Sequence, residues 1–307
     1  MSELLRPKWT GIILVDEKRC MVHGGQYWMY LAVDKLGDII HCRRVTEVNT
    51  SEAVRFLREV GTLVKNIQGV VTDLDSALTN AVKVVYPEIP YQYCIKHALA
   101  AIAESIGYAQ MRSRRQVIRM SCDDQKQKER QKYYATRRRR RLHAEKGEAY
   151  DELRRVDTKA ALYEQCRQIL IAPTEVHARE LYVRLIRSDD GTSADVKKIR
   201  RFFTRYWENL MMHHVVPELP RTTNIVENVN KQLQRRYKTV EAFQYQRTAE
   251  EYTNLLIAFL RQKKYTDCRG KRKMLNGKSR LAHAKVRGLH PDWLKNCLKI
   301  AKISNRK

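Results

Sequence analysis

Apolar and polar positions in the first 110 residues switch between the two-residue period of strands and the longer period of helices. Gly11–Val22 opens on the run Gly11-Ile12-Ile13-Leu14-Val15 and predicts a strand that is largely buried. His23-Gly24-Gly25 then supplies a turn. Tyr27–Val33, rich in aromatic and branched residues, predicts a second strand, and Lys35-Leu36-Gly37-Asp38 turns it into a third, Ile39–Val45. Phe56, Val60, Leu63, Val64 and Ile67 recur at helical spacing behind Thr50 or Ser51 as cap, with Gly69 as the stop. Val70–Thr72 reads as a short buried strand and Ser76–Tyr86 as a helix closed by Pro87. Tyr91–Cys94 is extended, and Ile95–Ile106 returns to helix.

The texture changes after Gly107. Residues 111–206 offer no convincing strand but several helical stretches, Tyr150–Ile171, Thr174–Ile186 and Asp195–Leu210. Pro217–Pro220 marks a boundary, followed by helices from about Asn224 to Tyr237 and from about Val240 to Lys264. Three strands, helix, strand, helix, strand is the opening order of an RNase H-like α/β domain: a three-strand meander plus two further strands in a mixed sheet. The expected organisation is 1–110 as the first part of that core, 111–206 as an all-α insertion, 207–260 as the second part, and 261–307 as a basic tail.

Charge sharpens this division. Of 60 Lys and Arg in 307 residues, 12 fall in 1–110, where 12 of the 34 acids balance them, so the whole net charge of +26 lies in 111–307. Arg112–Lys146 holds 14 basic against 4 acidic residues, and 261–307 holds 16 against 2. A neutral folded half joined to a strongly basic half points to a polyanion partner, nucleic acid first. The runs Arg137, Arg138, Arg139, Arg140, Arg141, then Arg235-Arg236 and Lys271-Arg272-Lys273, suit phosphate docking without base reading, and no helix-turn-helix or zinc finger is visible. Apolar runs are too short to span a bilayer, and Met1–Asp16 lacks a secretory signal. Seven scattered cysteines without a C-x-x-C suggest neither a disulfide framework nor a zinc finger, and a reducing, cytoplasmic setting follows.

Three carboxylates stand where metal-dependent phosphodiester chemistry would want them. Asp16 ends the apolar run of the first strand, a costly place for an acid unless it is paired or holds a metal. Asp73 ends the short strand Val70–Thr72, and ligands collect at the carboxyl ends of strands in open sheets. Glu227 lies in the helix opened by Arg221-Thr222-Thr223-Asn224. Such carboxylates can hold two Mg²⁺ or Mn²⁺ ions about 4 Å apart, one activating the attacking oxygen and one stabilising the leaving oxygen. Each has a plainer alternative. Asp16 can begin a turn or pair with Lys18 or Arg19, and Asn224-Ile225-Val226-Glu227 has capping-box spacing. Asp75 suits the cap of the following helix, and Asp34 and Asp38 flank a turn. On a helical wheel Ile225, Val226, Val229 and Leu233 share one face, with Glu227, Asn230, Lys231 and Gln234 placed opposite. Cys94 and His97 form a C-x-x-H pair with no second pair to complete a zinc site.

Leu14-Val15-Asp16, Tyr30-Leu31-Ala32-Val33-Asp34, Val70-Val71-Thr72-Asp73, Cys94-Ile95-Lys96-His97 and Pro220-Arg221-Thr222-Thr223-Asn224-Ile225-Val226-Glu227-Asn228 follow one another in the order seen in DDE transposases. Over roughly 9–107 and 207–260 the chain resembles the catalytic region of transposases of prokaryotic insertion sequences and is similar to the Mutator-like group. That resemblance implies an RNase H-like core interrupted by a helical insertion before the catalytic Glu. It also implies Asp16, Asp73 and Glu227 as the metal-binding triad, with Cys94, His97 and Asn224 near the site. Lys231, Arg235 and Arg236 would join the basic runs on DNA. The activity implied is hydrolysis at transposon ends and transfer of the freed 3′-OH into target DNA, by a homodimer holding two ends, in a nucleoid-associated protein. A nuclease that cuts without joining, and a non-catalytic nucleic-acid-binding protein, are the competing classes.

Overall fold

A computed structural model describes residues 5–22, 25–112, 139–188, 193–237, 240 and 243–304. Five strands form one mixed sheet: β1 (Ile12–Val22), β2 (Gly25–Asp34), β3 (Ile39–Val45), β4 (Gly69–Thr72) and β5 (Tyr91–Tyr93), in the order β3-β2-β1-β4-β5. β1, β2 and β3 form an antiparallel meander, with a register shift in β2 between Ala32 and Val33. β4 runs parallel to β1, and β5 parallel to β4. Helix α1 (Thr50–Leu63) leads into β4, and α2 (Ser76–Val85) makes the crossover between the two parallel strands. This is the strand order and direction of an RNase H-like α/β fold.

Ile12, Ile13, Leu14 and Val15 are all at most 2% exposed. Consecutive strand residues point to opposite faces, so a continuous buried run requires both faces of the sheet to be covered. Phe56, Leu57 and Val60 of α1 and Leu78 and Val82 of α2 supply part of that cover. Two helices late in the chain supply more: α8 (Asn224–Tyr237) packs on β1 and β2, and α9 (Gln246–Gln262) on β3.

The α1 boundaries differ from those that spacing predicts. Asn49 caps the helix, its side chain accepting from Glu52 N, one residue ahead of Thr50. The helix ends at Leu63 with Val64 already extended, so Ile67 lies outside it. Gly69 opens β4 and does not stop a helix; a Cβ there would collide with Leu219 Cδ2. Asp75 caps α2, accepting from Ala77 N and Leu78 N.

The chain divides into two compact units, 1–94 with 215–307, and 95–214. The first holds the sheet with α1, α2, α8 and α9, together with the basic segment after residue 260. That segment contains a 3₁₀ turn at Gly270–Leu275, the short helix at Arg280–His283 and the helix Trp293–Ser304. Among its described residues the second unit holds helices and no strand: α3 (Ile95–Ser105), α4 (Tyr108–Arg112), α5 (Arg139–Ile171), α6 (Glu175–Arg187) and α7 (Ala194–Val215), whose last residue falls in the first unit. Tyr182, Phe203 and Trp207 cluster with ring centroids 5.4–5.8 Å apart, and Trp207 Nε1 donates to Glu175 Oε1 at 3.2 Å. Lys159 Nζ pairs with Asp195 Oδ2 at 2.8 Å and also donates to the Ile106 carbonyl.

Candidate active site

The ladder between β1 and β4 ends at Leu14↔Val71. β1 continues for eight residues past Leu14, so Asp16 and Glu17 lie just beyond the pairing, beside the point where Asp73 leaves β4. There the carboxylates of Asp16, Glu17 and Asp73 come within 4.8 Å of one another, each half-buried. Asp73 also fixes the turn into α2: its Oδ1 accepts from Asp75 N at 3.1 Å.

Three like charges this close repel one another. Burial and the negative charges of Asp73, Asp16 and Asp75 push the Glu17 carboxyl up to about 8. Its Oε2 is buried and, among the described residues, meets no donor. Glu17 is not among the acids that the sequence singles out. Strand alternation sends the neighbour of Asp16 to the opposite face, and only the open edge of β1 lets a longer side chain join the cluster. The tandem Asp16-Glu17 after an apolar run is the one signal that could have flagged it.

Helix α8 brings Glu227 to the same unit. Glu227 N donates to the Thr223 carbonyl at 3.0 Å as the first helical bond, and Thr223 Oγ1 donates to Glu227 Oε1 at 3.2 Å. Thr223 N in turn donates to Cys94 Sγ at 3.4 Å, so the fully buried thiol at the end of β5 holds the start of α8. The Cys94 sulfur and a Glu227 carboxylate oxygen lie within 4.8 Å of each other. Glu227 is not a member of the Asp16–Glu17–Asp73 trio. His97 lies in the first turn of α3, half-buried, and Asn224 is the exposed first residue of α8.

One turn after Glu227, Asn230 Nδ2 donates to Asp16 Oδ2 at 2.6 Å. This corrects the helical wheel, which put Asn230 on the polar face. It is 3% exposed and lies among Val226, Val229 and Leu233, because at about 100° per residue it falls beside Val226. Asn230 thereby joins α8 to β1 across 214 residues of sequence.

The basic candidates are dispersed. Lys231, Arg235 and Arg236 are exposed on α8. Arg139, Arg140 and Arg141 open α5, whereas Arg137 and Arg138 lie outside the described residues. Lys271, Arg272 and Lys273 fall in the 3₁₀ turn, with Lys273 exposed. No helix among the described residues is long and apolar enough to cross a membrane.

No family model and no curated protein matches the chain. Its partial likenesses among solved structures include retroviral integrase cores. One is the simian T-cell lymphotropic virus intasome in complex with PP2A regulatory subunit B56 gamma: 17% identity, 25% of this chain, 30% of that chain, TM-score 0.23. Another is the HTLV-2 integrase catalytic core domain in complex with magnesium: 13% identity, 33% of this chain, 70% of that chain, TM-score 0.24. The chain therefore spans less than a third of the first of these.

Proposed function

We propose that this chain is a metal-dependent DNA transposase of RNase H-like fold, of the kind found in prokaryotic insertion sequences and similar to the Mutator-like group. The observation that carries the reading is the convergence of Asp16 and Asp73 from adjacent parallel strands, with the helix bearing Glu227 bonded to Asp16. All the donors in that trio are carboxylate oxygens, which suit hard cations such as Mg²⁺ or Mn²⁺. The crowding that raises Glu17, and the lack of a donor to its Oε2 among the described residues, both fit a site built for added positive charge.

In this reading Asp16, Asp73 and Glu227 hold two divalent ions, with Glu17 as a fourth carboxylate beside them. When bound, such ions activate the attacking oxygen and stabilise the leaving oxygen of an in-line displacement at phosphorus. The rest falls to the chain. Thr223 and Cys94 orient the helix start that carries Glu227, Asn230 orients Asp16, and the Asp73–Asp75 turn holds Asp73 at the end of β4. Lys231, Arg235, Arg236 and the basic runs at 137–141 and 271–273 bind phosphates of transposon-end and target DNA. A homodimer holding two ends, in a cytoplasmic, nucleoid-associated setting, completes the proposal. The domain plan within it remains 1–110 and 207–260 as core, 111–206 as insertion and 261–307 as basic tail.

The test is cleavage and joining, with Mg²⁺ or Mn²⁺, of DNA carrying the element's own terminal sequences, wild type beside Asp73→Asn. Joined product that disappears in the variant supports the reading. Cleavage without joining would make the chain a nuclease, and DNA binding without cleavage by either protein would make it a binding protein.

A further inference from the structure

Asn230 is a polar residue on an otherwise apolar helix face, buried with Val226, Val229 and Leu233. A hydrocarbon side chain would pack there at lower cost, because burying an amide without its hydrogen bonds is unfavourable. One end of the amide is accounted for. An ionised carboxylate only accepts hydrogen bonds, so Nδ2 faces Asp16 and Oδ1 is turned away from it. That Oδ1 is buried and, among the described residues, has no donor. A second such orphan, Glu17 Oε2, belongs to the carboxylate trio that Asn230 reaches through Asp16.

We infer that Asn230 is a positioning residue of the carboxylate site: Nδ2 holds the Asp16 carboxylate in one orientation for a divalent cation, and Oδ1 offers an acceptor to water at that cation. The inference rests on the proposed role of Asp16 as a metal ligand and extends it to a residue outside the triad. A ligand carboxylate free to rotate must be ordered at the moment of binding, whereas one held by a buried amide is already aimed. Loss of such outer partners typically weakens metal binding about 10–100-fold.

The experiment is calorimetric titration of Mg²⁺ and of Mn²⁺ into wild type, Asp16→Asn, Asn230→Leu and Asn230→Ala, with thermal unfolding of each in EDTA. Asn230→Leu keeps the volume and removes both polar ends; Asn230→Ala removes the bulk as well. Both are expected to bind ions about 10–100-fold more weakly while still unfolding cooperatively without metal. Wild-type affinity in both, with binding lost in Asp16→Asn, would overturn the role of Asn230 and leave the transposase reading standing. No ion binding by wild type, or binding unchanged in Asp16→Asn, would overturn both. Failure of both Asn230 variants to fold would assign the residue to the core.

Discussion

Asp38 and Arg261, 223 residues apart in sequence, form a two-point ion pair in the interior of the sheet unit. Arg261 Nε donates to Asp38 Oδ1 at 2.9 Å and its terminal nitrogen to Oδ2 at 2.8 Å, with the side chains 2% and 1% exposed. Trp9 Nε1 donates to the same carboxylate at 2.8 Å. The pair ties the turn between β2 and β3 to the last turn of α9, so the meander and the late helices hold together around a buried charge. Removing one partner of such a pair leaves the other uncompensated, which typically costs about 3–5 kcal/mol. Asp38→Ala and Arg261→Ala should each lower the unfolding free energy measured in urea by an amount of that order. The double variant Asp38→Leu/Arg261→Met should lose clearly less than the two single losses combined. Equal, additive losses would show that the pair is not coupled.

Gly11 sets the start of the strand that bears Asp16. Its φ of 84° is in the left-handed region, and a Cβ would collide with the Asn66 carbonyl oxygen, a backbone atom that cannot swing aside. Gly11→Ala should therefore destabilise the protein by about 1–3 kcal/mol in chemical denaturation. A neutral effect would mean that the turn relaxes freely.

Much of the sheet was legible in the sequence because its strands carry their own signals: the apolar run of β1, the branched and aromatic β2, and the Lys35–Asp38 turn. Asp16, Asp73 and Glu227 were legible as candidates because acids beside buried strands, and a recurrent motif order, are local features. Glu17 and the inward placement of Asn230 were not. Glu17 joins the cluster only because the β1–β4 ladder stops at Leu14, which strand spacing does not reveal. Asp34 and Asp38 read as turn acids, and Asp34 does accept from Leu36 N and Gly37 N in that turn, but the burial of both was not legible. Both are at most 2% exposed, Asp34 accepting from Thr10 N and Oγ1 and from Leu36 N, and Asp38 from Trp9 and Arg261. Thr10, Trp9 and Arg261, 24 or more residues from the acids they meet, leave no periodicity to read.

The carboxylate trio should trade stability for function. With no cation present, the negative charges of Asp16 and Asp73 crowd together beside Glu17, so Asp73→Asn should unfold in EDTA at a temperature no lower than wild type. Mg²⁺ should raise the melting temperature of wild type, by the equivalent of about 2.7 kcal/mol at a hundred times its dissociation constant, and leave Asp73→Asn unmoved. A variant that is still stabilised by Mg²⁺ would place the ion elsewhere.

The raised Glu17 carboxyl gives this a pH signature. Its value in the folded chain is about 8, against 4.5 for an unperturbed Glu. Between those values the folded state holds a proton that the unfolded state has released, so the stability it contributes is fully present below about pH 4.5 and is lost as pH rises through 8. Metal-free wild type should lose stability across that window in urea titrations, and Glu17→Gln, which stays neutral, should flatten the loss. An identical slope in Glu17→Gln would assign the titration to another group.

Glu227, Lys231 and Arg235 recur every four residues on α8, and spacing of this kind aligns side chains along one helix face. Lys231 and Arg235 are exposed, whereas Arg236, also exposed, is one residue out of that row. A DNA strand entering the carboxylate site would therefore meet Lys231 and Arg235 in succession. Each phosphate neutralised by a basic side chain adds about 0.9 to the slope of log affinity against log salt. Lys231→Ala and Arg235→Ala should each weaken DNA binding without sequence preference and reduce that slope by about 1, with little change in unfolding temperature. Arg236→Ala, one residue out of that row, should reduce the slope by less than either. Fluorescence anisotropy across a salt series measures all three. A slope untouched by Lys231→Ala and Arg235→Ala would send the DNA along another face of the protein.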